Sequence, residues 1–289
     1  MTTALVTGGT GALGRAVVER LQRDGRFRVV VASIDADEGP EAVRLDLRRG
    51  DEVAAVVARL APALVMHLAA TFTDDFDEAY AVNVAATRGL LEALAQAGAP
   101  ARVVLVGSAA EYGLVRPEEN PISEQRALAP VSTYGLTKSW QTLLGGLYAA
   151  RGVDVVTARV FNLDGPGLSE RLFVGRVQKQ IAELAAGRRA AIELGPLDAV
   201  RDYIDVDAAA DQLLAIAARG ERGQVYHVAS GVPVTMRDVL ARYLARHGLS
   251  PDVVKSGANL SNHRGYDVPA IWADVARTTA LVRAGRAGG

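Results

Sequence analysis

Tyr134-Gly135-Leu136-Thr137-Lys138 sets a phenol and an ammonium four residues apart, a spacing that puts both on one face of a helix. A free tyrosine, with a pKa of about 10, is a poor acid or base near neutrality. A neighbouring cation stabilises the phenolate, so the pair can exchange a proton with a carbinol or a ketone. Lys138, Lys179 and Lys255 are the only lysines among 32 basic residues, so a lysine inside this motif carries weight. Upstream, Val106-Gly107-Ser108-Ala109-Ala110-Glu111-Tyr112-Gly113 leaves a β-branched run. Ser108 is therefore expected at the carboxyl edge of a sheet, its hydroxyl able to donate to the same substrate oxygen. A lone YxxxK also occurs on solvated helix faces; its company here makes it chemistry.

That company includes Thr7-Gly8-Gly9-Thr10-Gly11-Ala12-Leu13-Gly14, between a first strand and a first helix. Gly8 permits a tight turn, Gly11 the approach of a pyrophosphate, and Gly14 close helix–strand packing, while the helix N-terminus offers free N–H groups. Dinucleotide binding follows from that context. NAD selection calls for a carboxylate at the end of the second strand, and Ala32 stands there, followed by Ser33. Ser33 and Arg15 can receive a 2′-phosphate, which favours NADP(H) over NAD(H). Asp35, three residues past Ala32, leaves the NAD alternative open. Asp46, past the third strand and beside Leu47, is expected to accept from the adenine amino group.

The composition sets the wider limits. The chain has 289 residues, with 32 basic against 33 acidic side chains, and is 49% hydrophobic. That length allows one large domain or two modest ones. Near-neutral charge does not favour a nucleic-acid partner. No apolar run reaches membrane-spanning length and the chain enters MTTALVTGG directly, so neither a membrane span nor a signal peptide is expected. Zero cysteines exclude disulfides and thiolate metal sites and suit a reducing, cytoplasmic compartment. Four scattered histidines make no ligand pattern, so no metal is expected.

The elements needed to position these residues are legible as alternation. Short continuous Val and Leu runs at 4–6, 28–31, 43–45, 64–68, 103–106 and 155–158 read as buried parallel strands. Helical spacing fills 13–23, 51–60, 75–96 and 133–150. The expected fold is α/β, a Rossmann-type doubly wound parallel sheet over 1–162. Beyond Asn162 come helices at 171–186, 205–218, 236–247 (capped by Thr235) and near 273–282, with a strand at 225–229. This part, 163–289, reads as a smaller α/β substrate-binding lobe, with segments near 203–230 packing back on the first.

The sequence resembles the extended short-chain dehydrogenase/reductases, the NAD-dependent epimerase/dehydratase family acting on nucleotide sugars. The likeness runs through TGGTGALG, LDL at 45–47, HLAA at 67–70, NVAATRGLLEA at 83–93, VGSAAEYG, YGLTK, ARVFNLDGPG at 158–167 and AVRDYIDVDAAA at 199–210. Within it, LFVGRVQKQIAE at 172–183, LGPLDAVRDYIDV at 194–206 and HRGYDVPAIWADVARTTALV at 263–282 are most similar to the GDP-4-keto-6-deoxymannose reductase branch. The resemblance implies Tyr134 as proton donor, Lys138 as its modulator and holder of the nicotinamide ribose, and Ser108 as second hydroxyl. It implies Leu68, Ala69 and Ala70 along the dinucleotide. Asn83 would be cofactor-side, pinning the loop after Ser108. For a nucleotide-diphosphate sugar it implies Thr71, Asn162, Val174, Arg201 and Arg264, the two arginines as bidentate diphosphate forks.

Val160 and Gly265 replace prolines common in the family and blur the substrate. Ala109 and Ala110 stand where 4,6-dehydratases carry an Asp–Glu pair, and Glu111 is one position late, so dehydration lacks its proton shuttle. The leading expectation is an NADPH-dependent reductase of a nucleotide-diphospho-4-keto-6-deoxysugar. The alternatives are an NAD-retaining 4-epimerase and, behind it, a non-catalytic dinucleotide-binding protein, which typically loses the tyrosine or lysine kept here. The resemblance also implies a homodimer through the helices at 75–96 and 133–150, which are rich in small residues.

Overall fold

Strands that are apolar on both faces must be covered on both faces, and the computed structural model, which describes residues 1–37, 39–98, 100–260 and 268–287, covers them with helices. The elements run β1 (Thr2–Thr7), α1 (Ala12–Asp24), β2 (Phe27–Ser33), β3 (Ala42–Arg44), α2 (Gly50–Leu60), β4 (Leu64–His67), α3 (Phe76–Ala79), α4 (Ala86–Ala97), β5 (Arg102–Ser108) and α5 (Thr133–Ala150). There follow β6 (Asp154–Val160), β7 (Asn162–Asp164), α6 (Phe173–Ala185), β8 (Ile192–Leu194), β9 (Val200–Asp205), α7 (Val206–Arg219) and β10 (Val225–Val228). The last are β11 (Pro233–Thr235), α8 (Met236–Arg246), β12 (Val254–Ser256), β13 (Ala270–Ile271) and α9 (Ala276–Ala287).

Seven strands pair in parallel in the order β10-β6-β5-β4-β1-β2-β3. The order reverses between β1 and β4, and in such sheets a ligand binds outside the carboxyl ends of the strands at that reversal. Alternation along each strand feeds two cores. Leu5, Val30, Val43 and Leu105 meet Val53, Leu90 and Tyr148 on the α2/α4/α5 face. Ala4, Val6, Met66 and Val156 meet Val17, Leu213 and Ile216 on the α1/α7 face. A third core, with Val174, Val177, Ile192, Leu194, Val239 and Leu240, joins α6 and α8 over β8 and β12. Beside it β9 is flanked by β11, β13 and β7.

The helix expected at 75–96 is interrupted. Between α3 and α4 the backbone takes a π-helical turn over Tyr80–Ala85. Such a turn inserts a residue and re-aims its neighbours, and Asn83 is buried within it. The short strands β7 to β9 and β11 to β13 were not expected, because runs of two to six residues carry too little periodicity. Among the described residues no helix is long and apolar enough to cross a membrane, and no cluster of side chains is suited to a metal.

Candidate active site

The loop from β1 to α1 has the shape of an anion cradle. Gly8 sits at φ +70°, and a Cβ there would lie 2.7 Å from the Ala69 nitrogen. At Gly14 a Cβ would lie 2.1 Å from the Gly8 oxygen, whereas at Gly11 its nearest neighbour would be that oxygen at 3.5 Å, leaving the outer face open. Helix α1 begins at Ala12 with no side-chain cap and no acidic residue in its first turn. Its first amides therefore point outward with positive dipole potential, beside the exposed Thr10, while Leu13 is buried beneath. These residues fit the pyrophosphate of a dinucleotide. Leu68, Ala69 and Ala70 run alongside, tied by Leu68 N to Thr7 O at 3.1 Å and Ala69 N to Thr7 Oγ1 at 3.3 Å.

At the far end of the groove the geometry corrects two expectations. Ala32 is 4% exposed and packs with Val30 and Val43 in the core, because β2 continues through Ser33 and its alternation turns Ala32 inward. Ser33 is thus the first side chain there able to meet a ribose, and its Oγ accepts from Asp35 N at 3.3 Å. Arg15 is turned the other way. It donates to Thr10 O and approaches Gly167, where a Cβ would meet its Nη2 at 2.8 Å. Asp46, ahead of Leu47, is gripped by Arg48 through Nε–Oδ1 at 2.8 Å and Nη2–Oδ2 at 2.6 Å, which holds its carboxyl below the usual range.

Tyr134 lies in the first turn of α5, which Ser132 caps by accepting from Gly135 N at 3.0 Å. A Cβ on Gly135 would lie 2.4 Å from Ala110 O, so only glycine lets this turn press against the one that follows Ser108. The approach sets Ser108 beside the Tyr134 phenol, close enough to act on its proton affinity. Burial pushes the Tyr134 phenol up to about 12, with Ser108 pulling against it and the Glu111 charge adding to it. Lys138 follows one turn later, 2% exposed, and burial pulls its ammonium down to about 8 against the opposing pull of Glu111. At neutral pH the site therefore presents a phenol holding its proton and a lysine still mostly cationic.

Glu111 is withdrawn from the site. It is fully buried, with Oε1 accepting from Ser108 N at 2.8 Å and Oε2 from Thr142 Oγ1 and Arg159 Nε, each at 2.8 Å. Asn83 is also placed differently from expectation. It pins the loop after β4, not the loop after Ser108: its Oδ1 accepts from Thr71 N at 2.9 Å and its Nδ2 donates to Thr71 O and Thr137 Oγ1, each at 3.0 Å. The π turn is what aims it there. Thr71 Oγ1 in turn donates to Glu78 at 3.3 Å.

Asn162 begins β7 and donates to Asp202 O at 3.1 Å, while Arg201 projects from the adjoining β9 and donates to Val200 O at 2.9 Å. Val160 ends β6 opposite Ser108 and is buried. Val174 is corrected outright. At 1% exposure it belongs to the third core, on the apolar face of α6, and packs there instead of lining the groove. Arg264 and Gly265 lie outside the described residues. Two contributors escaped the sequence reading. Phe72 packs its ring 4.7 Å from that of Tyr134, and Arg171, just ahead of α6, donates to the Phe72 carbonyl across the groove. An aromatic in a loop gives no periodic signal that could have exposed them.

The model of the NAD dependent epimerase/dehydratase family matches residues 4–229. A dTDP-6-deoxy-L-talose 4-dehydrogenase (NAD(P)(+)) of Kitasatospora kifunensis is 31% identical over 258 residues, 86% of this chain and 80% of the relative. A GDP-6-deoxy-D-mannose reductase of Pseudomonas aeruginosa is 30% identical over 208 residues, 70% of this chain and 68% of the relative. Among solved structures, MoeE5 in complex with UDP-glucuronic acid and NAD superposes with a TM-score of 0.83 at 28% identity, covering 97% of this chain and 92% of that one.

Proposed function

We propose that this chain, which belongs to the NAD dependent epimerase/dehydratase family, reduces the C4 ketone of a nucleotide-diphospho-4-keto-6-deoxysugar. The observation that carries the reading is the close packing of the turn after Ser108 on the first turn of α5, which sets Ser108 beside Tyr134, one helical turn from the buried Lys138 and at the same sheet edge as the glycine cradle. A reduced nicotinamide dinucleotide, when bound, supplies the hydride. Tyr134 holds the proton that the carbonyl oxygen must gain, and Ser108 donates to the same oxygen and keeps the phenol aimed. Lys138 stabilises the phenolate left behind and holds the nicotinamide ribose. Asn162 and Thr71 orient the sugar, and Arg201 and Arg264 hold the diphosphate. The 4-dehydrogenase and reductase relatives support the redox chemistry and the deoxyhexose class.

We favour NADP(H), because the side chain that ends the second strand is the neutral donor Ser33. A wild-type preference for NADH over NADPH that vanishes in Asp35→Ala would move the selector to Asp35. The second reading is a 4-epimerase that retains its dinucleotide, which the family's description favours. One assay separates the two. Purified chain should consume NADPH only when a nucleotide-4-keto-6-deoxyhexose is added. Interconversion of nucleotide-hexose epimers without added dinucleotide, and no NADPH consumption, would establish the epimerase instead.

We also propose a homodimer. Phe76, Tyr80, Leu143 and Leu147 are exposed on α3, the π turn and α5, and Phe76 and Tyr80 meet the edge of Trp140 at 6.0 Å. Such a contiguous apolar patch suits a two-fold helical interface. Sedimentation at micromolar concentration should give a dimer, and a monomer alone would overturn it.

A further inference from the structure

We infer that Gln141 is a positioning residue for Lys138: a hydrogen-bond chain of fixed direction, starting at Thr7 in β1, turns the Gln141 amide so that its carbonyl oxygen faces the lysine ammonium. The inference rests on the reading of Lys138 given above.

The direction follows from counting protons. Thr87 Oγ1 gives its one proton to Asn83 O at 2.9 Å, since a carbonyl can only accept. Its remaining contacts, His67 Nε2 at 3.0 Å and Gln141 Nε2 at 3.1 Å, must then both donate to it. His67 is fully buried, and desolvation with the Lys138 charge pulls it down to about 3, so it is neutral. With the proton on Nε2, its bare Nδ1 accepts from Thr7 Oγ1 at 2.8 Å. Gln141 thus has its nitrogen committed to Thr87 and its oxygen left for Lys138, which donates to it. A second ammonium proton goes to Val106 O at 2.5 Å. Two of three donors are fixed by neutral oxygens, which aims the third without cancelling the charge.

Among the described residues, the charged and titratable groups that act on Lys138 or are acted on by it are Glu111 from the turn after β5 and His67 from β4, and Tyr134 stands one turn earlier on α5 itself. Glu111 is already held by Arg159. Gln141, 1% exposed, is where an anion would most directly neutralise the ammonium, and the chain places an amide there.

The test uses the scarcity of lysine: with three in the chain, the Cε–Hε resonances of Lys138 can be followed in the dinucleotide-free protein. Gln141→Met keeps the length and removes the acceptor; Gln141→Glu keeps the acceptor and adds a charge. Gln141→Met should lower the Lys138 midpoint and weaken NADPH binding about tenfold. Gln141→Glu should restore most of that affinity, raise the midpoint by about one unit or more and carry the alkaline limb of turnover upward with it. A Gln141→Met protein with wild-type Lys138 titration and NADPH affinity would overturn the inference. Should that variant not fold, an unmoved Lys138 midpoint in Gln141→Glu would overturn it equally. Lys138→Met separates the two readings. If it binds NADPH and turns over normally, the role of Lys138 itself is wrong; if it is impaired while Gln141→Met is not, only the role of Gln141 is.

Discussion

Two polar clusters lie buried behind Ser108 and Tyr134, and they treat charge in opposite ways. In one, Glu111 and Arg159 meet at 2.8 Å with side chains 0% and 4% exposed, and Arg159 Nη1 also donates to the Tyr112 hydroxyl at 2.9 Å. In the other, Lys138 donates to the neutral oxygens of Val106 and Gln141. Each holds a histidine depressed by burial, in opposite tautomers. His227 Nδ1 lies 2.8 Å from Asp274 O and must donate, so Nε2 accepts from Tyr112 at 2.5 Å, the reverse of His67. The closed pair shapes the turn that carries Ser108, through Glu111 Oε1 on the Ser108 amide. The open charge is kept for the groove. A buried ion in a satisfied pair serves shape, and a buried ion on neutral partners keeps its field for chemistry.

The sharpest way to break this contrast is to remove one charge from each side. Arg159→Leu leaves Glu111 buried without its cation and should cost about 3–5 kcal/mol in urea unfolding. Lys138→Met should behave oppositely. The folded pKa of about 8 lies below the ordinary 10.5, so the unfolded chain binds more protons between those values. The penalty of burying the ammonium is full below pH 8 and fades as pH rises to 10.5. Relative to the variant, the wild type should therefore gain on the order of 3 kcal/mol between pH 7.5 and 10.5, while the variant loses turnover. A variant as damaged in stability as Arg159→Leu would erase the distinction.

The histidine of the open cluster gives a smaller effect. His67 sits at about 3 against an ordinary 6.5, so the unfolded chain binds the extra proton as pH falls through that window and stability drops. His67→Gln removes the proton site. Its unfolding free energy should fall less than the wild type's between pH 7 and pH 5, by about 2 kcal/mol. Equal losses would mean that His67 is not held neutral by its burial.

How much of this was legible depended on how local each feature is. The glycine cradle and the Tyr134–Lys138 pair are fixed by spacing within one turn or one helix, and so is the parallel sheet, whose Val and Leu runs admit few other homes. The inward turn of Ala32 and of Val174 depends on which face of an element meets a core, and a sequence does not print that. Asn83 was expected on the wrong loop because a π turn, invisible to 3.6-residue spacing, re-aims it. Two signals were present and unread. Ser108-Ala109-Ala110-Glu111 has the S-x-x-E spacing of a capping box, which the turn forms, and which turns Glu111 inward. Gln141 stands three residues after Lys138, within reach on the same helix face.

The smallest expected effect on stability separates two tyrosines that share one shift. Burial pushes both Tyr112 and Tyr134 up to about 12, so the direction of the shift cannot say which one acts. Their partners can. The Tyr112 hydroxyl is enclosed by Arg159 and His227, with Ser123 O at 3.4 Å, and no substrate oxygen can reach it. Tyr134 meets Ser108 at the sheet edge and is covered by Phe72, which is 47% exposed and belongs to the rim of the groove. Tyr112→Phe removes one neutral hydroxyl from a satisfied network and should cost about 1 kcal/mol of stability, a little more if Arg159 finds no replacement. Turnover of the folded protein should stay within about twofold. Tyr134→Phe should leave stability and NADPH affinity nearly unchanged and lower turnover by at least about 10²-fold, the usual worth of a general acid. Comparable turnover losses in the two variants would mean that the Glu111–Arg159 cluster reaches into the chemistry, and that the division between shape and reactivity drawn across this site is wrong.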